Sequence, residues 1–174
     1  MYILVTIIGI LLISLDQVTK YLAYTKLRFI DEIKIIDGVF RLKYVENRGA
    51  AFGIFQGARW IFVVITIVVL AVIIYQYIKL PKNKVYSWVR TSLVLVFAGA
   101  VGNFIGRFFD GYVVDFFDFY LINFPVFNIA DIYIVTGAVL MGILFVFFVK
   151  DEGGSAKEHL PEDNMDEDES SVKE

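Results

Sequence analysis

Four long apolar stretches decide what this chain can fold into. Residues 2–24, 60–78, 87–104 and 129–149 each come close to the roughly 20 apolar residues that a helix needs to cross a bilayer. In hydrocarbon every backbone N–H and C=O must find a partner within the structure, so stretches of this kind read as spanning helices. Composition agrees. Hydrophobic residues make up 58% of the 174, and mean hydropathy is +0.68, whereas soluble domains lie near about 45–50% apolar. The sequence predicts an all-α membrane protein with four transmembrane helices.

The first stretch lacks a basic leading region and a small-x-small cleavage site, and its helical pattern runs on through Asp16-Gln17-Val18-Thr19-Lys20. It therefore reads as a retained span rather than a signal peptide. Trp60 and the Tyr75/Tyr77 pair bracket the second stretch as an aromatic belt. Between these two spans, residues 33–36 and 39–45 are β-rich and flank Asp37-Gly38. A two-residue Asp-Gly between such runs signals a β-hairpin. An open hairpin cannot lie in lipid, so it belongs at the interface or outside.

Residues 1–149 form the predicted membrane domain. From Lys150 the chain is mostly Asp, Glu, Ser and Lys, which predicts an acidic disordered tail over 150–174. The net charge of −3 comes from that tail; the membrane part is basic. Four spans put both termini on one side. The loop over 79–90 carries Lys79, Lys82, Lys84 and Arg90 and no acid, so the positive-inside rule makes it and both termini cytoplasmic. The first loop also holds Lys26, Arg28, Lys34, Arg41 and Lys43, but it is long, offset by acids and reads as folded. The outer face then carries the hairpin and the loop over 108–128.

Several chemistries drop out. With no cysteine there is no disulfide, thiol nucleophile, zinc–thiolate site or lipidation of this chain. His159 is alone in the tail, which argues against a histidine-dependent triad. What remains lies within residues 99–131, where Asn103, Arg107, Asp115, Asn128 and Asp131 interrupt an apolar pattern. Polar groups near membrane depth are costly and are functional candidates for that reason. Taken singly, Asp131 reads as an acid favouring a helix N-terminus and Asp115 as a loop acid. Together they flank one short outer loop. Two close carboxylates cannot both ionise cheaply, so they share a proton. The charged member then takes a proton from water while the neutral one donates to a scissile carbonyl oxygen. This aspartic-peptidase chemistry needs no cofactor and no metal. Spacing alone does not dismiss Asp110 and Asp118 as competitors.

The other polar residues have plainer readings. Asp16 and Lys20 are four apart and able to pair. Lys20 reads as a snorkelling helix end, and the deeper Asp16 as a contact to another helix. Asn103 and Arg107 share a face, with Arg107 suited to a lipid phosphate, a substrate carbonyl or simple interfacial anchoring. Gly102-x-x-x-Gly106 is a helix-packing spacing. Asn47, without a partner, would be a turn residue.

At these residues the chain resembles the lipoprotein signal peptidase, or signal peptidase II, family. The resemblance is carried by Leu15-Asp16-Gln17-Val18-Thr19-Lys20, Asn47-Arg48-Gly49-Ala50-Ala51-Phe52, Gly99-Ala100-Val101-Gly102-Asn103, Val113-Val114-Asp115-Phe116 and Phe127-Asn128-Ile129-Ala130-Asp131. Each segment is weak alone; five in this order on four helices are specific. The resemblance implies a multi-pass aspartic endopeptidase of the bacterial cytoplasmic membrane, active at the outer face. It would cleave diacylglyceryl-modified prolipoproteins just before the lipidated cysteine. Asp115 and Asp131 match the family's catalytic pair. Asp16, Asn47, Asn103, Arg107 and Asn128 match its substrate-pocket and inhibitor-contact positions. Implied partners are the prolipoprotein, membrane lipid and the inhibitor globomycin, with no nucleic acid. The implied fold adds a small extracytoplasmic β-cradle to four membrane helices. Two positions depart from the family pattern. Gly106 precedes Arg107 where the family usually has Asp, with Asp110 as the acid expected to take over its contact. Ile132 follows Asp131 where a small residue is common. Other readings are a proton-coupled carrier, against which stand the absence of a repeat and acids clustered at one face, and a catalytically impaired homologue.

Overall fold

The computed structural model describes residues 2–49 and 57–149. Helices α1 (Tyr2–Lys26), α2 (Arg59–Lys79), α3 (Lys84–Phe109) and α4 (Ile129–Leu144) appear in that order, and α4 ends in a π-helical turn, Phe145–Val149. All four are long and apolar enough to cross a membrane. The protein is a multi-pass membrane protein. Helix α3 is the central one: 39% of its apolar window is buried, against 11% for α1 and α2 and 17% for α4. The outward faces of α1, α2 and α4 present Ile, Val and Leu to their surroundings, as lipid requires.

Lipid tails are as apolar as leucine, so close packing and polar contacts must hold the helices together. Glycine provides the closeness between α3 and α4. A Cβ on Gly99 would meet the Ala130 carbonyl oxygen, and one on Gly137 would lie 2.7 Å from the Ser92 oxygen. The expected packing role of Gly102 is met differently, since its open side faces the Asp16 carboxylate on α1.

Three strands form one antiparallel sheet in the order β1 (Ile33–Ile36), β2 (Phe40–Asn47), β3 (Val113–Asp118). The β1–β2 hairpin is the one the sequence predicts, with a longer turn. Ile36 pairs with Phe40, and Val39 N–H bonds the Ile36 oxygen at 3.0 Å, so Val39 joins Asp37 and Gly38 in the loop. Gly38 takes φ +75°, a region open to glycine at little cost. The third strand is new: Val113–Asp118 reads as an apolar loop run in sequence, yet it pairs with β2. Phe116 on it packs with Ala23 and Leu27 at the end of α1. Helix α3 also runs longer than the 87–104 expected from its apolar residues, because no helix-ending signal appears until Gly111 at φ +85°.

The sheet lies beside the C-terminal ends of α1 and α3 and the N-terminal ends of α2 and α4, as the chain order requires. Its cations are largely paired: Arg41 with Glu32 and Asp118, Arg48 with Glu46, Lys34 with Asp37. That pairing gives a physical reason to discount the first loop's positive charge when orienting the chain. Residues 50–56, which include Ala50, Ala51 and Phe52, and the tail over 150–174 lie outside the described residues.

Candidate active site

After β3 the chain makes a 3-10 turn over Tyr120–Ile122, passes through left-handed Asn123 at φ 51°, and doubles back. Phe127 then docks on β3. Its carbonyl oxygen accepts from Phe116 N–H at 3.0 Å and Phe117 N–H at 2.9 Å, and its own N–H bonds the Phe117 oxygen at 3.1 Å. This return delivers Asn128 and Asp131 to Asp115. Asn128 is the N-cap of α4 and forms a reciprocal capping box with Asp131. The Asn128 side-chain oxygen accepts from Asp131 N–H at 3.1 Å, and Asp131 Oδ2 accepts from Asn128 N–H at 3.1 Å. A cap of this kind contributes about 1 kcal/mol, and here it also fixes the aspartate.

Three asparagines surround the two carboxylates. Asn47 Nδ2 donates to Asp115 Oδ2 at 2.8 Å, and Asn128 Nδ2 to Asp115 Oδ1 at 2.6 Å. Asn103 Nδ2 donates to Asp131 Oδ1 at 2.7 Å. The orientation of each amide follows from a partner that can only donate. The Asn47 oxygen accepts from Gly49 N–H and the Asn128 oxygen from Asp131 N–H. The Asn103 oxygen accepts from the Lys20 ammonium at 2.9 Å and also from Asn128 Nδ2 at 3.1 Å. Each amide must therefore turn its NH2 toward an aspartate. Among the described residues, Asn128 alone hydrogen-bonds both carboxylates.

Lys20 is the residue that sequence reasoning misplaced. It does not snorkel: it is 7% exposed and ion-paired to Asp16 at 2.8 Å. A snorkelling end needs open water, whereas Lys20 faces α3 and finds Asn103. The signal was the Asp16/Lys20 spacing itself, since a buried pair of opposite charges explains both residues at once. Asp16 makes the interhelical contact expected of it, accepting from Ala130 N–H on α4 at 3.0 Å. That N–H is one of the unpaired donors at the start of α4. Gln17 adds bonds to Asp16 and to the Gly102 oxygen.

Asn47, Asn103, Arg107, Asp115 and Asp131 all line one half-open cavity of about 840 Å³. Its remaining wall is mostly apolar, with Phe62 from α2 and Ile132, Ile134 and Val135 from α4. Asp16 and Asn128 are fully buried behind that wall and do not line it. Arg107 donates to the Gly49 oxygen at 3.2 Å and stacks 5.0 Å over the Phe62 ring. Ile132 faces the cavity, so its bulk narrows that wall. The competing acids are placed elsewhere. Asp118 lies opposite Arg41 in the β2–β3 register and bonds it at 2.7 Å. Asp110 is exposed at the C-cap of α3, with its backbone N–H on the Gly106 oxygen. Among the described residues it takes up no side-chain contact in place of a residue at 106. A Cβ at 106 would itself lie 2.6 Å from the Tyr112 oxygen.

The electrostatics follow from burial. Asp115 is 2% exposed, and its carboxyl is pushed up to about 6, chiefly by desolvation and then by the Asp131 charge. The Asn47 and Asn128 hydrogen bonds pull it back down. No cluster of metal-ligating side chains occurs among the described residues.

Residues 8–148 match the family model described as Signal peptidase (SPase) II. The chain belongs to the signal peptidase II family. Similar proteins include the lipoprotein signal peptidase of Caldanaerobacter subterraneus subsp. tengcongensis, 48% identical over 136 residues, spanning 78% of this chain and 90% of that one. That of Clostridioides difficile is 43% identical over 142 residues, covering 82% and 94%. Two solved bacterial membrane enzymes share the fold. One, at 2.3 Å resolution, has a TM-score of 0.75 and 32% identity, with 95% of this chain and 94% of the other covered. The second, at 1.9 Å, has a TM-score of 0.73 and 35% identity, covering 83% and 93%. The membrane architecture expected from the sequence is thus that of solved relatives, and membership of the signal peptidase II family makes the chain a peptidase.

Proposed function

We propose that this signal peptidase II family member is an aspartic endopeptidase that removes signal peptides from diacylglyceryl-modified prolipoproteins, cutting just before the lipidated cysteine. The observation carrying the reading is that Asp115 and Asp131 line one cavity and are both held by Asn128. Relatives named lipoprotein signal peptidase supply the substrate class. One aspartate is ionised and removes a proton from water; the other, neutral, donates to the scissile carbonyl oxygen as it gains charge. The proton then passes to the leaving amine, and the pair returns to its singly protonated state. Asn47 and Asn103 orient the carboxylates. Arg107, at the cavity edge, binds a substrate carbonyl or lipid phosphate. Asp16 and Asn128 support these residues from behind rather than touching substrate. The apolar wall of α2 and α4 takes the acyl chains, whose burial contributes about 0.8 kcal/mol per CH2.

In this reading the protein sits in the bacterial cytoplasmic membrane with both termini inside, the sheet and cavity at the outer face, and an acidic tail over 150–174 in the cytoplasm. The deciding experiment is cleavage of a lipidated precursor in vesicles, with globomycin as inhibitor. Asp115→Asn and Asp131→Asn should each abolish cleavage while the protein still inserts. Full activity in either variant removes the mechanism. A proton-coupled carrier would show proton-linked flux and no cleavage. An impaired homologue would bind globomycin and leave precursor intact.

A further inference from the structure

The end of the bundle remote from the sheet carries a second concavity with a different character. It is a furrow of about 260 Å³ between α1, α2 and α3, lined by residues such as Gly9, Ile13, Ile73, Tyr77, Leu93 and Phe97. Its wall is almost wholly apolar, with Thr6 and Tyr77 as the polar side chains there, and the buried Tyr77 hydroxyl has no hydrogen-bond partner among the described residues. A buried hydroxyl without a partner costs about 1–3 kcal/mol, so an acceptor oxygen brought by a ligand is favoured beside it.

The mouth of the furrow is cationic. The Arg90 guanidinium lies 5.9 Å over the Tyr77 ring, one turn before Leu93 on α3. Arg90 is 8% exposed and gives one N–H to the Leu80 oxygen. Lys79 ends α2, Lys84 starts α3, and Lys82 sits between them; all three are exposed. At the sheet end, by contrast, Lys34, Arg41 and Arg48 meet carboxylates. From residue 57 to residue 109 the sequence contains no acid at all. Among the described residues, no carboxylate ion-pairs with this cationic group. An apolar slot, an unsatisfied hydroxyl and unpaired cations in this order match a phospholipid: acyl chain, ester and phosphate.

We propose that this furrow binds one anionic glycerophospholipid. An acyl chain lies along Gly9, Ile13 and Phe97, an ester oxygen accepts from Tyr77, and the phosphate meets Arg90 and the lysines of the α2–α3 loop. The site is separate from the aspartate cavity and serves to anchor the α1–α2–α3 seam. Basic pockets between membrane helices commonly take such headgroups.

The test uses the full chain, reconstituted in vesicles of equal phosphatidylglycerol and phosphatidylcholine. The protein is extracted in mild detergent, and retained lipid is counted by native mass spectrometry. Phosphatidylglycerol should be retained in preference. Lys82→Gln and Lys84→Gln should each weaken retention about fivefold, the effect of one cation near an anionic headgroup. Gly9→Leu should abolish it. A Cβ at Gly9 has no neighbour within 4 Å, so leucine enters the furrow without displacing the helices. Equal retention of the two lipids overturns the proposal, as does unchanged retention in Gly9→Leu. A third arm replaces the tail's acids by amides. Phosphatidylglycerol binding that appears only in that variant would assign the cations to the tail and overturn the lipid site.

Discussion

Asp115→Asn should give a protein that is inactive yet more stable than the parent at pH 8. Asp115 carries its charge in a site where burial, then the Asp131 charge, raises its carboxyl from 3.8 to about 6. A rise of roughly two units corresponds to about 3 kcal/mol of disfavoured charge. The sign follows from proton binding. The folded state holds the proton more tightly than the unfolded chain, so the penalty is absent below about pH 4. It grows as pH climbs from 4 to 6 and is fully present above 6. Asparagine removes the charge but turns an NH2 toward either Asn47 or Asn128, both of which now donate to Asp115. One mismatched pair returns about 1–2 kcal/mol of cost. The net gain is about 1–2 kcal/mol at pH 8, or roughly 2–8 °C in Tm. Thermal unfolding of both proteins in the same micelles, from pH 4 to 8, measures it. The two curves should cross as pH falls, leaving the variant the less stable by about 1–2 kcal/mol near pH 4, where only the mismatched pair remains. A variant that is less stable at pH 8, or a difference that is constant across the range, would refute the account of Asp115 as a group held at a cost.

Asn47→Ala deletes a donor to Asp115 Oδ2; the carboxyl should rise further, and the alkaline limb of kcat/KM should move to higher pH rather than lower. Lys20→Met leaves Asp16 buried without its cation and should cost about 3–5 kcal/mol; adding Asp16→Asn should recover part of that, because the new side-chain oxygen still accepts from Ala130 N–H. Gly106→Asp introduces the residue more usual in the family, but its Cβ falls 2.6 Å from a backbone oxygen; Tm should drop by the equivalent of about 1–3 kcal/mol, with no gain in precursor cleavage.

The membrane spans were legible because hydrocarbon leaves a chain so few options. The hairpin was legible because Asp37-Gly38 sits between β-rich runs. Strand β3 was not. Val113–Asp118 has no local turn partner, and its strand character comes from pairing with residues 66 or more positions earlier. The same pairing separates Asp115 from Asp118, which sequence spacing could not do. Register sets Asp118 opposite Arg41 and Asp115 opposite Val45, and it turns one carboxylate to a cation and the other to the cavity. The Asn128–Asp131 spacing was readable as two residues on one face, and the capping box explains why that face is rigid. Lys20 was misread because snorkelling and internal pairing use the same sequence; only the neighbouring helix decides between them.

The site's construction follows from where non-helical backbone is permitted. Inside lipid a strand edge leaves N–H and C=O groups unpaired, so a carboxylate there must ride on a helix. Asp131 does so, in the first turn of α4. Asp115 rides on β3, whose backbone is paired with β2 on one side and with Phe127 on the other. The pair thus forms where a helix start and a strand paired on both sides meet. Depth is then set by the buried Lys20–Asp16 pair, which joins α1 to the N-terminus of α4 and to Asn103 on α3. A residue inserted between Phe127 and Asn128 leaves the Asn128–Asp131 capping box intact but separates it from the Phe127 that docks on β3, so Asn128 cannot reach Asp115 while Ala130 N–H stays on Asp16. An insertion of one alanine after Phe127 should therefore abolish cleavage. The spans would be left unaltered, so membrane insertion should be retained.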